Sequence, residues 1–137
     1  MISYRIKGDS YDTIVVDKDS IAGVLHTKQF YMSSGSTVKV SDIKFHLDNI
    51  GGKVTLTKII TDDIDTVILP KDNIRQLGAY CLTGARFSRL IVPLGARLHL
   101  CSKALYGSDY VKSFMSLSRE LTYGDDVFPN TIQRRTF

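Results

Sequence analysis

Apolar residues in this chain recur at every second position in short runs, and that habit constrains the fold more than any other feature. Ile2, Tyr4 and Ile6 alternate with polar neighbours, as do Ile43, Phe45 and Leu47, then Val54 and Leu56, then Leu98 and Leu100. Between them lie β-branched runs such as Thr13-Ile14-Val15-Val16, Thr66-Val67-Ile68-Leu69 and Arg89-Leu90-Ile91-Val92. Successive side chains of an extended chain point to opposite faces, so this alternation buries one face of a sheet and leaves the other in water. Short runs rich in β-branched and aromatic residues are what half-buried strands require.

The punctuation agrees with strands. Ser33-Ser34-Gly35-Ser36, Asn49-Ile50-Gly51-Gly52, Pro70-Lys71-Asp72-Asn73 and Pro93-Leu94-Gly95-Ala96 supply turn chemistry between the runs. Asn49 to Gly52, set between Phe45/Leu47 and Val54/Leu56, is the strongest hairpin signal. Strands at roughly 8–12-residue spacing without a long helical pattern between them predict an all-β fold, an antiparallel β-sandwich (jelly-roll-like) or a barrel. We find no internal repeat in the chain.

In residues 108–121 the apolar positions Tyr110, Phe114, Leu117 and Leu121 match one helical face, and Ser108 or Asp109 would cap it. Ser113, Ser116 and Ser118 weaken that helix, and Val111, Met115, Leu117 and Leu121 also suit a strand, so strand or irregular structure is expected there. Residues 124–137 are polar, contain Pro129 and show no amphipathic period. They are read as an extended C-terminal arm or tail after a sandwich domain spanning 1–123, with a frayed terminus as the alternative.

At 137 residues, 43% of them hydrophobic and 23% charged, the chain has the size and composition of one packed domain. No apolar run approaches the roughly 18 residues of a membrane-spanning helix. The N-terminus lacks the apolar core of a signal peptide, so cytoplasmic synthesis without a membrane partner is expected. Cys81 and Cys101 sit in apolar, strand-like surroundings and read as buried thiols, neither disulfide-bonded nor metal-bound. His26, His46 and His99 are scattered singly, with His46 and His99 expected to face outward or lie at a sheet margin. Asp62-Asp63-Ile64-Asp65 lacks the Gly and Glu positions of a calcium loop and reads as an exposed turn. No nucleophile elbow, zinc motif or phosphate-cradling loop occurs. The expectation is therefore a non-enzymatic protein with no catalytic residue, cofactor, metal or small-molecule substrate.

The net charge of +4 is unevenly spread: Lys71, Arg75, Arg86, Arg89, Arg97 and Lys103 are accompanied by Asp72 alone, and Arg134-Arg135 adds a basic pair. Acids group early, at Asp9, Asp12, Asp17 and Asp19. Nucleic acid is disfavoured, because such domains usually carry a heavier positive charge and no RNP-type aromatic sequence is present. Arginine is enriched at protein interfaces. Arg86, Arg89, Arg97, Phe128, Ile132, Arg134, Arg135 and Phe137 are therefore the candidate interface residues. The alternative is a ligand-binding module for nucleic acid or carbohydrate, displaying exposed aromatics such as Tyr4, Tyr11, Tyr31 or Tyr80.

Lys53-Val54-Thr55-Leu56-Thr57, then Val67-Ile68-Leu69-Pro70, then Leu90-Ile91-Val92-Pro93-Leu94-Gly95-Ala96-Arg97-Leu98-His99-Leu100 resembles the strand rhythm of small β-sandwich virion proteins of tailed bacteriophages. The turn and strand Val92-Pro93-Leu94-Gly95-Ala96-Arg97-Leu98-His99-Leu100 carry the likeness, which covers about the middle half of the chain. It implies a structural role as a capsid-decoration, head–tail connector or tail component. It also implies location in the virion, homo-oligomeric contacts and contacts with other virion proteins.

Overall fold

The computed structural model describes residues 2–5, 11–18, 23–32, 38–61 and 64–136, and every regular element among them is a β-strand. The first five strands, β1 (Ile2–Arg5), β2 (Tyr11–Lys18), β3 (Gly23–Met32), β4 (Val38–Ile50) and β5 (Lys53–Thr61), pair in sequence order as an antiparallel meander. The expected hairpin at Asn49 to Gly52 joins β4 to β5. Gly51 (φ 65°) and Gly52 (φ 81°) form its turn, a left-handed pair that closes two-residue hairpins.

Beyond β5 the direction of pairing changes. The remaining strands are β6 (Thr66–Ile68), β7 (Gln76–Leu77), β8 (Arg89–Val92), β9 (Arg97–Leu100), β10 (Ser113–Ser116), β11 (Glu120–Tyr123) and β12 (Gln133–Thr136). Odd-numbered strands extend the meander's sheet in the order β5-β7-β9-β11, even-numbered strands build a second sheet in the order β6-β8-β10-β12, and all these pairs are parallel. Parallel neighbours cannot be joined by a hairpin; each needs a crossover. Here the crossover is a strand of the opposite sheet with a corner on either side, so the chain winds into a β-solenoid of about three turns.

This corrects the expected antiparallel sandwich or barrel. Alternation dictates which side chains face inward, and it does so equally for either direction of the neighbouring strand. The extended C-terminal arm is corrected too. Residues 124–136 complete the last rung, burying Val127 and Ile132 in the core and pairing β12 with β10. Residues 108–121 hold no helix: Ser108 Oγ accepts hydrogen bonds from the Tyr110 and Val111 amides in a turn, and β10 and β11 follow.

Stacking rungs puts residues 20–24 positions apart into register columns. In the first sheet Leu56, Leu77, Leu100 and Tyr123 form an inward column; in the second, Val67, Leu90, Phe114 and Arg134 do. The first three members of each column are fully buried and belong to one continuous core shared by both sheets, the corners and β3–β5. Burying each such side chain contributes roughly 1.5–3 kcal/mol. The corners repeat as well: Gly78, Cys101 and Gly124 donate their amides to Leu56, Leu77 and Leu100 carbonyls in turn. A repeat of about one rung is therefore present after all, keeping residue identity in part, as in Leu56, Leu77 and Leu100, and elsewhere only apolar character, as in Val67, Leu90 and Phe114.

Candidate functional site

The two ends of the solenoid differ. At the first rung, the outer edge of β5 is occupied by β4, and the second sheet's edge strand β6 is buried along its whole length. At the last rung, β11 and β12 are both sheet edges, and Gln133, Arg134 and Arg135 are exposed. An edge strand presents backbone N–H and C=O groups that a further strand can pair with. The last rung is thus the candidate site.

It is assembled by the column geometry. Arg134 occupies the position that Val67, Leu90 and Phe114 hold in the earlier rungs, so its side chain starts out over the end of the core. The guanidinium carbon lies 4.4 Å from the Tyr123 ring centre and 4.5 Å from that of Phe128. Phe128 in turn packs edge-on against buried Phe114 at 5.3 Å and tilted against Tyr123 at 5.8 Å. Each cation–π contact at such an exposed site is worth about 0.5–1 kcal/mol. The arrangement lays an apolar stem over the core while the charged head stays in water. It leaves a rigid, cationic and aromatic surface flanked by open strand edges.

Among the expected interface residues, the fold brings Phe128 and Arg134 into contact and buries Ile132 in the core. Arg135 is exposed beside Arg134 on β12, and Phe137 lies outside the described residues. Arg86, Arg89 and Arg97 belong elsewhere. Arg86 sits exposed in the corner before β8. Arg89 opens β8 within 3.7 Å of Asp65, and Arg97 opens β9 with its Nε donating to Glu120 at 3.2 Å. Arg89 and Arg97 lie on different sheets, each beside an acid of this same chain. Tyr123 and Phe114, which hold Phe128 and seat Arg134, were not among the expected residues; their register with Leu100 and Leu90 is the signal that would have found them.

The remaining titratable groups have structural settings. Cys81 is fully buried, donates to the Ala104 carbonyl at 3.4 Å, and burial pushes its thiol pKa up to about 12. Cys101 is half-buried against Gln76 Oε1 at 3.6 Å, and neither cysteine forms a disulfide. His99 is half-buried on β9, paired with Thr122 Oγ1 at 2.8 Å, while His46 lies at a β-bulge with a buried Nε2 that has no hydrogen-bond partner among the described residues. Gln76 donates to Thr55 Oγ1 at 2.6 Å and to the Ile50 carbonyl at 3.1 Å, which satisfies a buried polar pair. Asp62 and Asp63 lie outside the described residues; Asp65 accepts from Thr66 Oγ1 at 2.9 Å at the entry to β6.

Among the described residues no three His, Cys, Asp or Glu side chains converge to hold a metal ion, and no helix is long and apolar enough to cross a membrane. Comparison with family models, curated proteins and solved structures finds no match to the chain.

Proposed function

We propose that this chain is a non-enzymatic assembly protein that joins copies of itself, and neighbouring proteins, through the last rung of its solenoid. The observation that carries this reading is that β11 and β12 end their sheets beside the exposed Arg134 and Arg135, while the other end is closed by β4 and a buried β6. Unpaired strand edges offer main-chain hydrogen bonds, and a rigid Arg–aromatic cluster suits the centre of a protein contact. The early acids Asp9, Asp12, Asp17 and Asp19 have the complementary sign for a head-to-tail contact between copies. The setting we propose is a virion, with the chain made in the host cytoplasm and acting as decoration, connector or tail component. The likeness of residues 92–100 to phage virion modules supports that setting, as does the need of such particles for rigid blocks with repeated contacts.

The test is light scattering coupled to size-exclusion chromatography on the full chain and on Arg135→Glu, at low and high salt. Arg135 is exposed on the edge strand and makes no part of the Arg134 stack, so its reversal leaves the fold intact. A discrete oligomer that dissociates in the variant and in salt supports the reading. A monomer at every concentration, or an oligomer indifferent to Arg135→Glu, removes the last rung as the self-assembly face.

A further inference from the structure

The corner leading from the first sheet to the second repeats an uncommon backbone conformation. In three successive rungs, 23 residues apart, it holds a non-glycine residue in the left-handed region: Tyr80 (φ 58°), Lys103 (φ 61°) and Asp126 (φ 57°). Their peptides are joined rung to rung, the Tyr80 amide donating to the Lys103 carbonyl and the Lys103 amide to that of Asp126, both at 3.0 Å. A left-handed non-glycine residue costs on the order of 1–2 kcal/mol, and such strain gathers at functional sites. All three side chains are exposed, so core packing does not explain them.

Around them the groups are fixed. The Tyr106 hydroxyl donates to Asp126 Oδ1 at 2.6 Å, and Lys103 Nζ lies 5.9 Å from the Tyr106 ring centre. Asp126 also raises the Tyr106 pKa by accepting the phenol proton's hydrogen bond. Gly107 (φ 89°) leaves its face bare: a Cβ there would come within 3.2 Å of Tyr80 Cδ1 and 2.8 Å of Thr83 Oγ1. The Tyr80 ring therefore lies against the next rung, held yet 48% exposed. A held ring offers contact area without a further loss of side-chain freedom on binding.

We propose that this corner binds an oligosaccharide laid along the solenoid axis, with Tyr80 stacking on one sugar ring and Lys103, Tyr106 and Asp126 hydrogen-bonding its neighbours' hydroxyls. Adjacent rungs stand about 4.8 Å apart, comparable to the length of one pyranose ring, so the column presents one polar or aromatic group per sugar. The apolar C–H face of a sugar matches the Tyr80 ring, and its hydroxyls take both donors and acceptors. A polyanion is the wrong ligand. The corner loops 78–88, 101–112 and 124–132 carry Arg86, Lys103 and Lys112 against Asp109, Asp125 and Asp126, a balance that gives phosphates nothing to gain.

The experiment is binding of the full chain to an array of defined oligosaccharides, followed by titration calorimetry with the strongest binder, for the wild type, Tyr80→Ala, Tyr80→Phe and Asp126→Asn. Tyr80→Phe keeps the ring and is expected to retain binding, which guards against a trivial loss through misfolding. Tyr80→Ala is expected to weaken binding on the order of tenfold, with a weaker loss in Asp126→Asn. No binder anywhere on the array overturns the proposal. So does a binder whose affinity is the same for the wild type and Tyr80→Ala, or one displaced by single-stranded DNA at low salt.

Discussion

Replacing Leu100 with alanine tests the register of the solenoid directly. Leu100 is fully buried, stacked between Leu77 on β7 and Tyr123 on β11. Both neighbours are held by backbone ladders that fix the spacing of the rungs, so the walls of the resulting cavity cannot close. Core Leu→Ala substitutions cost about 2.7–5 kcal/mol, rising with the cavity that remains. The rigid column places this one near 4 kcal/mol, a large part of the roughly 5–15 kcal/mol that stabilises a typical domain. Urea unfolding followed by far-UV circular dichroism and tyrosine fluorescence measures it, with the midpoint falling and the m-value unchanged. Leu94→Ala is the matched control: Leu94 is 73% exposed in the corner before β9, and its loss should stay within about 0.5 kcal/mol. A cost below about 1 kcal/mol at Leu100, or equal costs at the two leucines, would refute the inward column and the parallel pairing that creates it.

Arg134→Leu removes two cation–π contacts and extends the Val67, Leu90, Phe114 column to an uncovered edge, so the variant should scatter more light on standing than the wild type; an unchanged signal would deny Arg134 its capping role. Cys81 carries a pH dependence of known sign. Its pKa is raised from 9.0 to about 12, so the unfolded chain ionises first, and stability present in full below pH 9 is lost as pH rises towards 12. The loss amounts to about 4 kcal/mol at most, and alkaline melts of Cys81→Ala should lack that component; identical slopes would contradict it. Arg97 and Glu120 form a pair with side chains 74% and 51% exposed, so Glu120→Gln should change stability by less than about 1 kcal/mol, and by less still in high salt.

The strands were legible because their signal is local. Phe45/Leu47, Asn49 to Gly52 and Val54/Leu56 define facing, turn and facing again within a dozen residues, and the hairpin formed as read. The winding was not legible. Leu77 and Leu82 recur as Leu100 and Leu105, but Gly78-Ala79-Tyr80-Cys81 between them becomes Cys101-Ser102-Lys103-Ala104, and β7 is two residues long, too short to show any alternation. Pro93 to Ala96 was read correctly as a turn between strands, but the residues around a turn do not reveal whether it folds a strand back or carries it to another sheet. Ile132 was read as an interface residue of an extended arm, because apolar residues spaced widely in a polar tail show no period. In a rung each needs only one column to bury it. Of the site, Phe128, Arg134 and Arg135 were anticipated from composition. The aromatic seat beneath Arg134 depends on Tyr123 and Phe114, which only the register brings together.

Because the strands after β5 pair, among the described residues, only with the strands of the rungs beside them, the molecule's length is separable from its fold. A segment of one rung inserted between Ala96 and Arg97 would meet a parallel strand on either side and an apolar column ready to receive it. The meander at one end and the Arg134 lid at the other would be untouched. Such a chain can lengthen or shorten by duplication and deletion in steps of about 23 residues, which allows evolution to set the distance between its two ends without redesigning either of them.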